Sequence, residues 1–141
     1  MFQLFYQEEQ QVAFIRFTGA VEGAEAQRAV HAAAVRSGGK LLRVLLDYRE
    51  VTRMDLTETD GALASVNTRR LRGTGVDLVK LAISYVTSPD HMSVNDILLQ
   101  RIRLTAPHRV REGLGGFNSA ERSLDEALED LGLSSDSVLP Y

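Results

Sequence analysis

The sequence predicts a single α/β domain built on a mixed β-sheet, which begins with a hairpin and continues as βα units. Two apolar-alternating runs near the N-terminus flank a polar turn, which is typical of a hairpin. Further along, short apolar runs alternate with segments of helical periodicity, and this alternation indicates crossover connections between strands. A chain of 141 residues with 44% hydrophobic residues is long enough to bury one core. The expected order is ββαβαβαβα, with about four helices.

The first half of the chain contains the hairpin, one helix and one strand. The run "FQLFYQEEQQVAFIRFTG" alternates on both sides of its polar "QEEQQ" turn. "EGAEAQRAVHAAAVRS" is rich in Ala, with Glu early and Arg late, which favours a helix that ends at Gly38–Gly39. "LLRVLLD" is apolar and short, and this is typical of a strand buried on both faces. We expect that strand to end at Asp47.

The second half is predicted to add three helices and two strands. A helix is expected from about Thr57 to Arg70, closed by "RGTG", and "VKLAISYV" is a buried strand. "SVNDILLQRIRLTA" has helical periodicity, and "HRVREGLGGF" is a weaker strand. Ser123 and Glu126 form a capping box for the last helix, which Gly132 ends. Its apolar stripe consists of Leu124, Ala127, Leu128 and Leu131.

These elements define a domain over residues 1–133 and a C-terminal tail over 134–141, which we expect to be loosely held because it starts with polar residues. The net charge of −3 gives no reason to expect nucleic acid as a partner, and the absence of Cys excludes disulfides and thiolate chemistry. No apolar run has the length of a membrane span, and the N-terminus lacks the features of a signal peptide. A cytoplasmic protein is the expectation.

No catalytic or metal site is predicted. The histidines, His31, His91 and His108, do not have the spacing of metal ligands. "GLGG" at 113–116 lacks the spacing of a phosphate-binding loop, so no cofactor is expected. Asp47 is expected to pair with Arg49 or to cap a neighbouring turn. We therefore expect no enzymatic activity.

Acids and hydroxyls cluster in "VTRMDLTETDG", at 51–61, immediately before the second predicted helix. A helix N-terminus carries unpaired N–H donors and partial positive charge, which Asp55 or Thr57 can cap and which Glu58 or Asp60 can stabilise. Capping accounts for the whole cluster and is the preferred interpretation. Two alternatives stay open: Thr57 as a phosphate acceptor, and Asp55, Glu58 and Asp60 as an acidic patch that faces a partner.

Three stretches carry a family resemblance: "VLLDYREVTRMD" before the second predicted helix, "LAISYV" in the fourth predicted strand, and "GGFNSAERSLDEALEDLGL" near the end. Together with the element order, they resemble the STAS domain, the fold of bacterial anti-sigma-factor antagonists, and more closely its SpoIIAA-like branch. The resemblance implies a non-enzymatic bacterial regulatory or protein-interaction module. Fold alone does not determine its role.

Antagonists of this family carry an Asp-Ser-Ser/Thr-Gly turn at the start of the second helix. A partner kinase phosphorylates a hydroxyl there, and the added charge breaks the complex with that kinase. The matching run here is "DLTE", in which Asp55 and Thr57 match the family's turn. Leu56 and Glu58 depart from it, and the SpoIIAA-like branch generally lacks the switch.

Two classes of function follow. The first is a regulatory protein that binds another protein through the face around the second predicted helix. The second is a protein that binds a small apolar, lipid-like ligand under the helix "NDILLQRIRL", where Leu99 and Leu104 lie off the main apolar stripe. The same two leucines, together with the apolar "VLPY" at the end of the tail, also predict a homodimer.

Overall fold

A computed structural model of the chain describes residues 1–22, 24–55, 69–87, 123–134 and 139–141. Its strands are β1 (Phe2–Gln7), β2 (Val12–Glu22), β3 (Arg43–Asp55) and β4 (Ala82–Val86), and its helices are α1 (Glu25–Arg36) and α2 (Leu124–Asp130). Residues 69–73 are also helical and are followed by a turn. No helix within these ranges is long and apolar enough to cross a membrane.

The four strands form one mixed sheet in the order β1-β2-β3-β4. β1 and β2 pair antiparallel as a hairpin, whereas β2 with β3 and β3 with β4 pair parallel. α1 provides the crossover between the parallel strands β2 and β3, a connection that requires a segment of about a dozen residues. The predicted α/β class, with an N-terminal hairpin followed by βα units, is confirmed.

Each face of the sheet packs against a different helix because side chains alternate along the strands. In β2, Ala13, Ile15 and Phe17 point to the face that α1 covers, which we call the first face. Val12 and Phe14 point to the opposite face, where they pack against α2, and we call this the second face. Two cores therefore lie on the two sides of β2, and the central strands are apolar on both faces.

The buried side of α1 consists mostly of alanines. These are Ala26, Ala29, Ala33 and Ala34, and Ala is the strongest helix former, so the same residues favour the helix and pack in the core. Ser37 follows the helix and links its end to the next segment: its hydroxyl donates to the carbonyl of Ala34 at 2.8 Å and accepts from the Leu41 amide at 3.0 Å. The predicted helix is confirmed.

The predicted cap of α2 is also confirmed. The Ser123 hydroxyl accepts from the Glu126 amide at 3.2 Å, and Gly132 follows the helix with φ 69°. Ala127, Leu128 and Leu131 are buried against the second face, as the apolar stripe predicts. A short helix of this kind derives most of its stability from such packing.

β3 is longer than the sequence pattern predicts. We expected the strand to end at Asp47, but it continues to Asp55 and pairs with β2 as far as that residue, with two register shifts. Pairing with β4, by contrast, ends at Asp47, which lies opposite Val86. Asp47 therefore lies in the middle of β3, at the point where β3 loses one of its two neighbours among the described strands.

Two register shifts explain why the extension was missed. Its buried residues, Tyr48, Val51 and Met54, are three positions apart, which does not match the two-residue period of a regular strand. The pairing of β3 with β2 shifts between Arg16 and Thr18 and again between Gly19 and Ala20, and each shift inserts one extra residue into β3. The inserted residues return each buried side chain to the first face.

A close backbone contact after α1 predicts a large effect of one substitution. We expect Gly39→Ala to lower the free energy of unfolding by about 3 kcal/mol. Gly39 has φ +83°, and a Cβ there would lie 2.6 Å from the backbone oxygen of Thr74. Urea denaturation measures the loss.

Gly38 offers a matched control. It also has a positive φ, +64°, but a Cβ at this position would have no neighbour within 4 Å. Gly38→Ala should therefore cost only about 1 kcal/mol, the backbone contribution alone. Equal costs at the two positions would contradict the proposed clash with Thr74.

Several predicted elements lie outside the described residues. These are the helix over "SVNDILLQRIRLTA", the strand over "HRVREGLGGF" and most of the helix expected from Thr57 to Arg70. Only the end of the last of these is described, where helical residues continue beyond Arg70 to Gly73 and the turn at Thr74–Gly75 closes the element, as "RGTG" predicts.

Candidate functional site

A buried carboxylate lies on the second face where β3 loses its pairing with β4. Asp47 is 2% exposed and lies opposite Arg16 of β2. Arg49, two residues further along β3, binds it with its Nε at 3.0 Å and its terminal nitrogen at 2.7 Å. The Arg49 amide also donates to the carboxylate, at 3.1 Å. The predicted pairing of Asp47 with Arg49 is confirmed, in the two-pronged geometry that favours Arg.

Tyr141 completes the site from the other end of the chain. Its hydroxyl donates to Oδ2 of Asp47 at 2.8 Å. Its ring packs on Phe5 with the centroids 5.3 Å apart, and the Arg16 guanidinium lies 5.4 Å from the ring centroid. Leu139 packs on the same apolar cluster as α2. The expectation of a loosely held tail is therefore wrong for residues 139–141.

We call Arg16, Asp47, Arg49 and Tyr141 the tail latch. Arg16 also pairs with Glu50, with 2.6 Å between its terminal nitrogen and the carboxylate. Because the Glu50 side chain is 54% exposed, this outer pair contributes little to stability. The inner pair differs, since the Asp47 side chain is only 3% exposed and depends on its partners to remain charged.

Burial and hydrogen bonding act in opposite directions on the Asp47 carboxyl. Burial favours the protonated form, but the hydrogen bonds from the Arg49 side chain, the Arg49 amide and Tyr141 outweigh it and lower the pKa of Asp47. Burial, followed by the neighbouring charge of Asp47, raises the pKa of Tyr141. The latch therefore consists of an ionised carboxylate and a neutral phenol at neutral pH, which is the pairing that the hydrogen bond requires.

The hydrogen bonds of the tail latch give it a structural role. Both oxygens of Asp47 are engaged by Arg49, and one of them also accepts from Tyr141. Within the described ranges, no group of three or more His, Asp or Glu residues is arranged to hold a metal ion. The latch fixes the end of the tail on the sheet.

A second polar feature lies where β2 and β3 end. Glu22, the last residue of β2, is paired in register with Asp55, the last residue of β3. The Glu22 side chain is 77% exposed, and its contact with Arg28 of α1 is long, at 3.8 Å. We call Glu22 and Asp55 the acidic edge. Asp55 is the last residue of β3, and its capping of the following helix stays a prediction, because that helix start lies outside the described residues.

The other predicted site residues are not among those that the structure describes. Thr57, Glu58 and Asp60 follow Asp55 directly in sequence and lie outside the described ranges, as do Leu99 and Leu104. The capping interpretation of Thr57 thus stays a prediction. Glu22 was not predicted as a site residue, because the sequence places it at the start of the helical segment "EGAEAQ", whereas it is the last residue of β2.

Five chains of solved structures match this chain. A solved structure of the anti-sigma factor antagonist SpoIIAA in its unphosphorylated form has a TM-score of 0.45 and 16% sequence identity, and the match covers 84% of this chain and 100% of that one. No protein family model matches the chain. No curated protein matches it either.

Proposed function

We propose that this chain is a non-enzymatic regulatory protein that binds a basic surface of a partner protein through the acidic edge. The observation that carries the proposal is the register pairing of Glu22 with Asp55, which brings two acids to the ends of neighbouring strands. In open α/β sheets, the carboxyl ends of parallel strands are the usual place for binding. Glu58 and Asp60 follow within five residues of Asp55 and add to the negative charge of this part of the chain.

The charge at this edge is poorly compensated on the side of Glu22. Arg28 is 58% exposed and lies 3.8 Å from Glu22, and an exposed pair at such a distance contributes little. Glu25, at the start of α1, is already paired with the α-amino group of Met1 at 2.7 Å. A basic partner surface would supply a closer opposite charge to Glu22 than Arg28 does, and would increase both the association rate and the specificity of binding.

The two alternatives have less support. A phosphate on Thr57 would add negative charge two residues after Asp55, in a segment that already contains several acidic residues. Repulsion between like charges would disfavour binding of the phosphate there. The apolar-ligand alternative depends on Leu99 and Leu104, and no contact of the described residues favours it. Binding through unmodified acids is therefore the preferred function.

Charge reversal tests the proposal. We expect the double variant Glu22→Lys, Asp55→Lys to capture at least about tenfold less of any saturable protein partner from a lysate of the native cell. Binding by the unaltered chain should weaken as the salt concentration rises, because exposed charges are screened. Quantitative mass spectrometry of the captured proteins at two salt concentrations measures both effects.

A matched control carries the same change of charge elsewhere. Glu9→Lys, Glu129→Lys replaces two exposed acids, one in the hairpin turn and one on α2, far in sequence from the acidic edge. This variant should bind as the unaltered chain does. Equal losses in both double variants, or no saturable partner for the unaltered chain, would contradict the proposal. Thermal unfolding checks that both variants are folded.

A further inference from the structure

The outer edge of β1 is built for strand pairing. β1 is the terminal strand of the sheet that the described residues form, and no described strand pairs with its outer side. The strand "FQLFYQ" contains no charged residue, no Pro and no Gly, and its pairing with β2 runs without a register shift. Charges, prolines and bulges are the devices by which proteins protect exposed edges from pairing with other chains. None of them is present within β1.

The hydrogen bonds at the start of β1 determine which of its backbone groups point outward. Met1 and Thr18 exchange both bonds: the Met1 amine donates to Thr18 at 3.3 Å, and the Thr18 amide donates to Met1 at 3.0 Å. In an antiparallel ladder, hydrogen-bonded and non-hydrogen-bonded pairs alternate. The inward set is therefore Gln3, Phe5 and Gln7. The N–H and C=O groups of the outward set, Phe2, Leu4 and Tyr6, point to the open edge.

The outward set is symmetric about Leu4. If a second copy of β1 runs antiparallel along this edge with Leu4 opposite its own equivalent, Phe2 lies opposite Tyr6 of the second copy, and Tyr6 opposite its Phe2. All outward backbone groups then find partners. Phe2, Leu4 and Tyr6 all point to the first face, because they are an even number of positions apart. Residues directly opposite each other in a ladder point to the same side of the sheet, so this register places the first faces of the two copies on the same side.

From this symmetry, we propose that two copies of the chain associate through β1 to form one continuous sheet across a two-fold axis at Leu4. The partner is a second copy, because this register pairs the outward backbone groups of the same three residues in both copies. An uncharged strand also approaches its own copy without electrostatic repulsion. The half-buried side chains of Phe2, Leu4 and Tyr6 form a continuous apolar row in this arrangement. The association does not use the acidic edge, so it is independent of the proposed function.

Strand pairing of this length buries less surface than a standard stable interface, so the dimer should dissociate on dilution. Because the chain contains no Cys, single cysteines report its register cleanly. We expect Leu4→Cys to form a covalent dimer under mild oxidation, since residues opposite each other in a hydrogen-bonded pair have Cα atoms about 5.5 Å apart. Gln3→Cys is the control: two copies of residue 3 would be about 8 Å apart, beyond disulfide range.

The yield of covalent dimer should be at least about tenfold higher for Leu4→Cys than for Gln3→Cys, although Gln3 is the more exposed residue. Equal yields, or no dimer of Leu4→Cys, would overturn the proposal. Light scattering of the unaltered chain provides the second measurement. A monomer at every concentration up to about 1 mM would overturn it, and so would a dimer that Leu4→Cys fails to trap. Circular dichroism checks that both variants are folded.

Discussion

Arg49→Met is expected to lower the free energy of unfolding by about 3 kcal/mol at neutral pH. The substitution leaves the carboxylate of Asp47 buried on the second face without its cationic partner. The Arg49 amide and the Tyr141 hydroxyl remain as donors, so the cost should fall at the lower end of the range for broken buried pairs. Chemical denaturation with urea measures the change, and Arg72→Met, an exposed arginine outside the tail latch, should change stability by less than about 0.5 kcal/mol.

Removing the other partner should cost less. Asp47→Asn leaves Arg49, whose side chain is 40% exposed and can be solvated by water. We expect a loss of about 1–2 kcal/mol for Asp47→Asn and about 1 kcal/mol for Tyr141→Phe, which removes a single hydrogen bond. If Asp47→Asn proves more destabilising than Arg49→Met, the buried carboxylate does not control the energetics of the latch.

The same pair predicts a dependence of stability on pH. The pKa of Asp47 in the folded chain is lowered from its ordinary value of 3.8, because the bonds from Arg49 and Tyr141 outweigh burial. Its contribution is therefore complete above that value and is lost as the pH falls through the lowered pKa. The loss of stability in acid should be smaller in the Asp47→Asn variant. The raised pKa of Tyr141 has the opposite effect on the pH dependence. The contribution of Tyr141 to stability is present below its ordinary pKa of 10.0 and is lost at higher pH.

Phe17→Ala is expected to have the largest effect, a loss of about 4 kcal/mol in the free energy of unfolding. Phe17 is fully buried on the first face and stacks on Tyr48, with ring centroids 4.7 Å apart and an angle of 11° between the planes. Its ring also packs near that of Phe2 in β1, with the ring centroids 6.3 Å apart. Alanine would leave a cavity at the first register shift of β3, where the strand is already irregular.

Phe5→Ala is a suitable comparison, because Phe5 belongs to the same sheet but is only half-buried, on the second face. It should cost about half as much as Phe17→Ala. A double-mutant cycle with Phe17→Leu and Tyr48→Leu should give a coupling of about 1 kcal/mol for the stacked rings. A loss below about 2 kcal/mol for Phe17→Ala would show that the neighbouring side chains collapse into the space.

Local patterns were sufficient for the elements whose stabilising contacts are close in sequence. The hairpin follows from the two-residue alternation on both sides of its turn, and β1 pairs with β2 from Phe2 to Gln7 as that pattern predicts. α1 follows from its Ala content and from the glycines after it. The cap of α2 joins Ser123 to Glu126, three positions later. Asp47 and Arg49, which pair with each other, are two positions apart.

The candidate site shows where such patterns stop. Asp55 was predicted from its acidic neighbours, and the structure adds Glu22, which is its partner in the sheet but lies more than thirty positions earlier in the chain. A single sequence contains no signal for that register, because it depends on how β2 and β3 align over their whole length. Thr57, Glu58, Asp60, Leu99 and Leu104 stay predictions from the sequence.

What the sequence by itself determined is the local design: the hairpin, the two helices with their ends, and the ion pair at Asp47. The tertiary structure decided how far β3 runs and where the tail ends. Tyr48, Val51 and Met54 all reach the core because β3 contains two inserted residues relative to β2. The pairing with β2 determines where these residues are inserted, and a two-residue period in the sequence does not reveal them. Tyr141 reaches Asp47 across 94 residues. Burying a carboxylate requires donors that satisfy it, and only the folded chain brings that phenol to the sheet.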